Sequence, residues 1–374
     1  MKIFFAGGGT AGHVNPALAA ANYIRERDPS AAISFSGGTG RIEEVLAARA
    51  GYPIYAFPLQ GLSRELSPSG IRRNLTALYQ TASAIREAKE IIRREKPDVV
   101  VGTGGYASFP MVYAAAQLGV KTALLEVNAT PGMALKRLSK KVDCVMVAFQ
   151  ETAQHLTGAK RVEVTGSPVR AEILRCRDNL YEPVFENSNR PLVTCFWGSV
   201  GALYMNKKME EVIRLTAKSG SFDLLHSVGS SAWEWLPGEV RDLGVDLDNC
   251  PNVRVQEYIY DMDRVLAQSD LVICRAGAST LAEICAAGVP AIIVPSPYVA
   301  DNHQEKNARL LEKAGAAIVL TEQDCTPELL YDTVQGLLAN PEKLRRMGEK
   351  AREKAQPNAL DKICTIIREL AQNH

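Results

Sequence analysis

Short apolar runs alternate along this chain with longer segments of Ala, Leu, Glu and Lys, and after a break the alternation starts again. Strands that alternate with helix-length segments are the mark of βαβ units and parallel sheets. In the first series the spacing predicts strands at Lys2–Ala6, Ala32–Ser36, Ile54–Phe57, Val99–Val101, Thr122–Leu125, Cys144–Val147 and Val162–Val164. Between them lie helical segments such as Leu75–Glu95, where charged and apolar residues interleave at helical spacing. Residues Asp178–Pro191 hold two prolines, three asparagines and little periodicity, and read as a loop. Strands then recur at Leu192–Phe196, Asp223–Ser227, Val253–Gln256, Leu271–Cys274, Ala291–Val294 and Ala317–Leu320. The expected plan is α/β throughout: an N-terminal domain over 1–166, a C-terminal domain over 167–340, and helices over 341–374 that pack back on the N-terminal domain. Pro357 divides that last stretch.

A chain of 374 residues exceeds one ordinary core, which agrees with two domains. Its 43 basic and 42 acidic residues leave a formal charge of +1, so the broad basic excess of a nucleic-acid binder is absent. The eight cysteines are never closer than eleven residues apart and several lie in apolar runs. They read as buried free thiols of a reducing compartment rather than as a metal or redox motif. No apolar run reaches the ~18 residues of a membrane span. The start, Met1–Ala21, is interrupted by Gly7-Gly8-Gly9, His13, Asn15 and Pro16 before a signal-length stretch accumulates. The protein is therefore expected in the cytoplasm, with any membrane contact peripheral.

Glycine-rich turns follow several strands. The first strand runs into Gly7-Gly8-Gly9-Thr10-Ala11-Gly12-His13, with a helix expected from about Pro16. Glycines permit a tight turn and a close ligand, and a helix start offers unpaired N–H groups. A dinucleotide fingerprint also needs an acidic residue about 20 residues on, at the end of the second strand. That strand instead ends in Ser36-Gly37-Gly38-Thr39, which argues against a nicotinamide or flavin site. A second turn, Gly102-Thr103-Gly104-Gly105-Tyr106, follows the strand at Val99. Two such turns at the carboxyl ends of strands in one sheet line the same crevice, where open α/β folds bind ligands. A third turn, Gly198-Ser199-Val200-Gly201-Ala202, follows Leu192–Phe196.

The densest signal is Cys274-Arg275-Ala276-Gly277-Ala278-Ser279-Thr280-Leu281-Ala282-Glu283. A strand ends, small residues turn, and a helix starts near Ser279. Backbone amides with the Ser279 and Thr280 hydroxyls suit a diphosphate, and Glu283, one turn on, suits a ribose diol. The same residues would also suit a plain helix cap, completed by Glu283. The polar run Asp301-Asn302-His303-Gln304-Glu305, between a strand end and a helix, suits sugar hydroxyls or a solvated loop equally.

These blocks, in order along nearly the whole chain, resemble the MurG family of peptidoglycan glycosyltransferases. The resemblance rests on GGGTAGHVNP, GTGGYASFP, GSPVR at Gly166–Arg170, GSVGA, CRAGASTLAEICAAGVPAIIVP and DNHQEKNA. It implies a GT-B fold, two Rossmann-like domains with parallel sheets facing each other across a cleft. It also implies a metal-independent, cofactor-free, inverting transfer of N-acetylglucosamine from UDP-N-acetylglucosamine to the 4-hydroxyl of the muramoyl-pentapeptide of lipid I, giving lipid II. Cell-wall biogenesis, cell shape and division, and cell-wall synthesis proteins as partners follow from the same resemblance.

Carried over by motif, the donor residues are Arg170, Ser199, Ala278, Ser279 and Thr280 around the diphosphate and sugar, Ile259 by the uracil through its backbone, Glu283 on the ribose, and His303 and Gln304 on the sugar hydroxyls. On the acceptor side the resemblance points to Thr10, Gly12, Gly104, Gly105, Tyr106 and Asn128. Inversion needs a group to take the proton of the attacking hydroxyl, and a histidine suits working pH. His13 is the first expectation and Glu126 the second; His13 as a residue that only orients backbone or phosphate is the other reading. Two departures stand out: Leu125 and Val127 flank Glu126 where the family carries polar residues, and Trp197 and Val200 alter the Gly198–Ala202 turn. Both are expected near the cleft, where they bear on acceptor and rate.

A lipid-bound acceptor implies docking to the inner face of the cell membrane. Ile71, Leu75, Leu78 and Tyr79 share a helical face beside Arg72 and Arg73, and Lys136, Arg137, Lys140 and Lys141 form a second basic cluster. Apolar insertion with attraction to anionic lipids is the expected mode, against the plain reading that the stripe packs on its own core. Competing activities on the same architecture are transfer to another lipid and 2-epimerisation of UDP-N-acetylglucosamine.

Overall fold

The computed structural model describes residues 1–61 and 67–372. The chain divides into two compact units, one of Met1–Val169 with Gln356–His374 and one of Arg170–Ala355.

Among the described residues the first unit carries β1 (Lys2–Gly7), β2 (Ala32–Gly38), β3 (Ile54–Phe57), β4 (Val99–Gly104), β5 (Lys121–Glu126), β6 (Cys144–Val147) and β7 (Val162–Val164) in a parallel sheet ordered β3-β2-β1-β4-β5-β6-β7. Ile3, Phe4, Phe5 and Ala6 of β1 are all wholly buried, because helices cover both faces of a parallel sheet and its strands lose the apolar–polar alternation. Between β1 and β4 the register slips: Ala6 pairs with Gly102 but Gly7 pairs with Gly104, leaving Thr103 as the extra residue of a bulge.

The second unit carries β8 (Leu192–Phe196), β9 (Asp223–Ser227), β10 (Val253–Gln256), β11 (Leu271–Cys274), β12 (Ala291–Ile293) and β13 (Ala317–Val319), again parallel, ordered β10-β9-β8-β11-β12-β13. Val193, Cys195, Leu224, Leu271 and Ile273 of the sheet pack with Met209 and Ile213 of the helix Leu203–Ser219. Each such side chain removed from water contributes about 1.5–3 kcal/mol before entropy is counted.

Three elements differ from their expected limits. The first helix runs Ala11–Arg27 and so contains Pro16 instead of starting there, which puts His13 in its first turn. The helix expected from Leu75 begins at Pro68, because the Ser67 hydroxyl accepts the Gly70 N–H at 3.1 Å with proline in the first turn. The C-terminal stretch is shared between the units. The helix Pro341–Lys354 stays with the second, while Ala359–Gln372 lays Ile363, Cys364 and Ile367 on the first. That last helix is tied down where the Tyr23 hydroxyl donates to Asp361 and Arg161 pairs with Glu369 at 3.2 Å. All eight cysteines are free, seven of them buried and Cys250 partly so.

Candidate functional site

In both sheets the strand order reverses at the centre, between β1 and β4 and between β8 and β11. The four glycine-rich turns follow those four strands. A crevice outside the carboxyl ends at such a reversal is where open α/β sheets take ligands.

In the second unit, β11 ends at Cys274 and the helix Ala278–Ala287 begins after Gly277, its N-cap, a residue with no side chain to cap it, so that Ser279 and Thr280 lie inside the first turn. The capping arrangement is therefore not made. Ser279 Oγ is buried and has no hydrogen-bond partner, an arrangement that costs free energy unless a ligand atom completes it. The turn is braced from behind. Asn307, wholly buried, donates to the Ala276 carbonyl at 3.3 Å, and Arg275 donates to the Val294 carbonyl at 3.1 Å and to the buried Glu322 carboxylate. None of these braces was legible in the motif, since Glu322 lies 47 residues from Arg275.

Glu283 turns toward Arg170, whose Nε donates to Oε1 at 2.9 Å. Burial acts to lower the guanidinium pKa, yet the Glu283 carboxylate outweighs it and holds Arg170 above its ordinary value. The turn Gly198–Ala202 lies on residues 228–231: Ser199 and Val200 carbonyls accept the Ser230 and Ser231 amides at 3.1 and 3.0 Å. Ser199 and Val200 are exposed there. Trp197, expected to intrude on the site, is buried in the core, with the Arg275 guanidinium 5.6 Å over its ring and His226 at its edge. Burial pushes His226 down to about 4, and its Nε2 lies 3.1 Å from Asn206 Oδ1. Ile259 is also buried, its side chain packed in the core with Leu225 and Val265. Asp301 and Asn302 both adopt left-handed backbone just before the helix His303–Lys313, a strain that clusters at functional sites. Gln304 is engaged through Oε1, which accepts the Ser296 amide at 2.9 Å.

In the first unit the two glycine turns interlock. His13 Nδ1 lies 3.0 Å from the Gly8 carbonyl and 3.2 Å from Thr10 Oγ1. Gly105, at φ +74°, passes so close that a Cβ there would lie 2.1 Å from the Gly8 oxygen, and a Cβ on Gly104 would lie 2.7 Å from the His13 ring. The Tyr106 ring covers Gly9. What approaches Gly8 and Gly37 is not open space but Glu43, from the helix Ile42–Arg49: a Cβ on Gly8 would sit 2.0 Å from its Oε1. Glu43 is buried and accepts the Gly9 and Gly38 amides at 3.1 and 2.8 Å. The carboxylate missing from the end of β2 is thus supplied from the next helix, and it is spent on backbone.

Glu126 is buried at the end of β5. Its Oε1 accepts the Asn128 amide and Asn128 Nδ2 at 3.0 and 2.9 Å, and its Oε2 accepts the Gly132 amide at 3.2 Å. Burial raises its pKa, opposed by those N–H bonds. This is the geometry of a loop clamp, at the residue expected second to His13 as the base. Leu125 and Val127 point into the core, so the apolar departures beside Glu126 pack the sheet and do not line a site. Thr10, the cap of the first helix, and Gly12, in its first turn, are both exposed beside His13.

On the helix Pro68–Glu95, Ala77, Ala84, Ala88, Ile91 and Ile92 form the buried face. Ile71, Leu75, Leu78 and Tyr79 are between 56% and 77% exposed, so this stripe does not pack on its own core. Arg72, Arg73, Lys136, Arg137, Lys140 and Lys141 are exposed as well. Among the described residues no helix is long and apolar enough to cross a membrane, and no three His, Cys, Asp or Glu side chains stand together as metal ligands.

The glycosyltransferase family 28 N-terminal domain matches residues 3–147 and the family 28 C-terminal domain matches residues 192–363. The chain is 41% identical over 372 residues to the UDP-N-acetylglucosamine--N-acetylmuramyl-(pentapeptide) pyrophosphoryl-undecaprenol N-acetylglucosamine transferase of Desulfitobacterium hafniense, covering 99% of this chain and 100% of that one. It is 37% identical over 374 residues to the Acetivibrio thermocellus protein of the same name, covering 100% and 99%. Among solved structures it is similar to Acinetobacter baumannii MurG, with a TM-score of 0.76 and 28% identity over 98% of this chain and 99% of that one. Two Rossmann-like units matched end to end at this identity place the chain in glycosyltransferase family 28, with the GT-B fold, and within it in the MurG family.

Proposed function

We propose that the chain transfers N-acetylglucosamine from UDP-N-acetylglucosamine to the 4-hydroxyl of the muramoyl-pentapeptide of lipid I, giving lipid II. The observation that carries the donor side is the Ser279 hydroxyl, buried without a partner at the head of an uncapped helix beside the Arg170–Glu283 pair. Helix-end amides with Ser279, Thr280 and Ser199 receive the diphosphate, and the N-terminal end of the helix dipole favours its charge. Glu283 receives the ribose hydroxyls and Arg170, released from it, turns to the phosphates. The Ile259 backbone meets the uracil; Ala278, His303 and Gln304 meet the sugar.

On the first unit Thr10, Gly12, Gly104, Gly105, Tyr106 and Asn128 receive the acceptor, and His13 is the base. The acceptor 4-oxygen bonds to the anomeric carbon as the bond to the β-phosphate oxygen breaks. The hydroxyl proton goes to His13 and the new negative charge goes to UDP. Helix-end amides and Arg170 stabilise that charge, which is the task a divalent ion performs in other transferases, so no metal or cofactor is required. The exposed stripe Ile71, Leu75, Leu78 and Tyr79 with its arginines docks on an anionic membrane surface at the cytoplasmic side, bringing the enzyme to its lipid substrate. The relatives, N-acetylmuramyl-(pentapeptide) pyrophosphoryl-undecaprenol N-acetylglucosamine transferases by name, favour lipid I over another lipid and over epimerisation.

Purified protein with UDP-N-acetylglucosamine and a lipid I analogue tests the reading by product. Disaccharide-lipid is expected. Transfer only to a different lipid, or epimer formed from UDP-N-acetylglucosamine alone, would overturn it.

A further inference from the structure

We infer that Glu43 is a positioning residue for the reaction: through the Gly8–Gly9 peptide it fixes the tautomer of His13 and raises the basicity of its Nε2. The inference rests on the reading of His13 as the base. Gly8 O and Gly9 N belong to one peptide group. Its N–H donates to Glu43 Oε2 at 3.1 Å, and its carbonyl lies 3.0 Å from His13 Nδ1. A carbonyl only accepts, so the contact is a hydrogen bond when Nδ1 carries the proton, and the lone pair of the neutral ring then sits on Nε2. The Thr10 hydroxyl, 3.2 Å from Nδ1, accepts from the same proton.

The carboxylate strengthens this bond. An anion accepting from an amide N–H makes a charge-assisted bond, and it polarises that peptide so that the carbonyl at its other end becomes a better acceptor. Glu43 thus stands to His13 as an orienting carboxylate stands to a catalytic histidine, with a peptide group between them. The fold goes to some length to admit it. A buried carboxylate is costly, two amides are spent on it, and residues 8 and 37 must lack a Cβ, which would lie 2.0 and 2.3 Å from Glu43 atoms. Tyr106 is a further titratable group against this peptide, its ring 3.3 Å from a Cβ placed on Gly9.

The test uses the full chain with histidine labelled by nitrogen-15, the His13 signals being assigned from their loss in His13→Ala. Neutral His13 is expected as the Nδ1–H tautomer in the unmodified protein. In Glu43→Gln its titration midpoint is expected to fall by roughly half a pH unit. The acid limb of kcat/KM should move down with it, and kcat should drop about ten-fold with KM for UDP-N-acetylglucosamine unchanged. An Nε2–H tautomer in the unmodified protein overturns the proposal without recourse to a variant, so it stays decidable if Glu43→Gln does not fold. An unchanged His13 titration in a folded Glu43→Gln overturns it as well. Retained turnover in His13→Ala removes the base reading instead, and the proposal with it. The nitrogen spectra separate the two failures, because they report the coupling of Glu43 to His13 without reference to turnover.

Discussion

Arg170 and Glu283 hold each other, Nε to Oε1 at 2.9 Å, although each is expected to hold a different part of the same nucleotide. The Arg170 side chain is half-exposed, so the pair adds only about 0–1 kcal/mol to stability. On the proposed function its use lies in binding: the two charged groups wait paired and are expected to part when the ligand supplies hydroxyls for one and phosphates for the other. Glu283→Ala should leave the melting temperature within a degree or two. It should weaken UDP binding by on the order of 1.5–3 kcal/mol, since hydrogen bonds to a charged group are lost. Calorimetric titration with UDP checks this, and undiminished affinity would remove Glu283 from the donor site.

Ser279→Ala should separate stability from binding in the same way, with the opposite sign on stability. Its Oγ is buried without a partner in the free protein, so deleting it is neutral or slightly stabilising. If, as proposed, the hydroxyl gains a phosphate oxygen in the complex, its loss should cost about 1 kcal/mol of UDP affinity. Thermal unfolding with and without UDP reads both signs in one experiment. A variant that is less stable without ligand would show that the hydroxyl already has a structural role.

The strands were legible in the sequence because buried parallel strands carry apolar runs that end in glycine, whereas the order in which they cross was not. The ends of elements were not. The first helix begins at Ala11, ahead of Pro16, and this shift carries His13 into its first turn. Glu43 has no signature in the sequence because the dinucleotide pattern places its carboxylate at the strand end, whereas Glu43 reaches back from a helix turn. Trp197 looked like an obstruction because a loop position says nothing of which way a ring points, and the ring points into the core. Partners such as Glu322 for Arg275 and Asn307 for Ala276 lie tens of residues away and have no local signature.

Glu126 predicts a pH dependence. Burial raises its folded pKa above the unfolded value, so in the interval between the two values the native state binds the proton more tightly and stability falls as pH rises. Glu126→Gln lacks that titration. It also turns one amide N–H₂ toward an N–H donor and loses a bond from the clamp of Asn128 and Gly132. Urea unfolding from pH 4.5 (about the ordinary carboxylate value) upward should show the variant gaining on the unmodified protein as pH rises. A constant difference across that range would mean the carboxyl is not shifted upward.

His13→Ala should cut turnover by about 10²–10⁴-fold, the usual contribution of a positioned general base, and leave UDP-N-acetylglucosamine affinity nearly intact. His13 belongs to the first unit and every expected donor residue to the second, so donor binding is not expected to depend on it. Turnover with a lipid I analogue and calorimetric titration with the donor measure the two quantities on one preparation. A parallel loss of both would mean that His13 serves the turn's shape and not the proton transfer.

The exposed stripe on the helix Pro68–Glu95 predicts binding to lipid. Leu75→Asp with Leu78→Asp changes two side chains that contribute little to folding, because 64% and 57% of each is already in water. Stability should therefore change by less than about 0.5 kcal/mol, while insertion into a membrane loses on the order of 1.5 kcal/mol or more for each leucine. Sedimentation with vesicles rich in anionic lipid should show the unmodified protein bound and the double variant mostly free. The basic residues Arg72, Arg73, Lys136, Arg137, Lys140 and Lys141 add an attraction of about 1 kcal/mol for each one near the surface, screened within a Debye length. Raising the salt should therefore weaken binding of the unmodified protein in steps that neutral vesicles do not show. Equal binding of both proteins would assign the stripe to some other partner, and equal binding to neutral vesicles would remove the arginines and lysines from the mechanism.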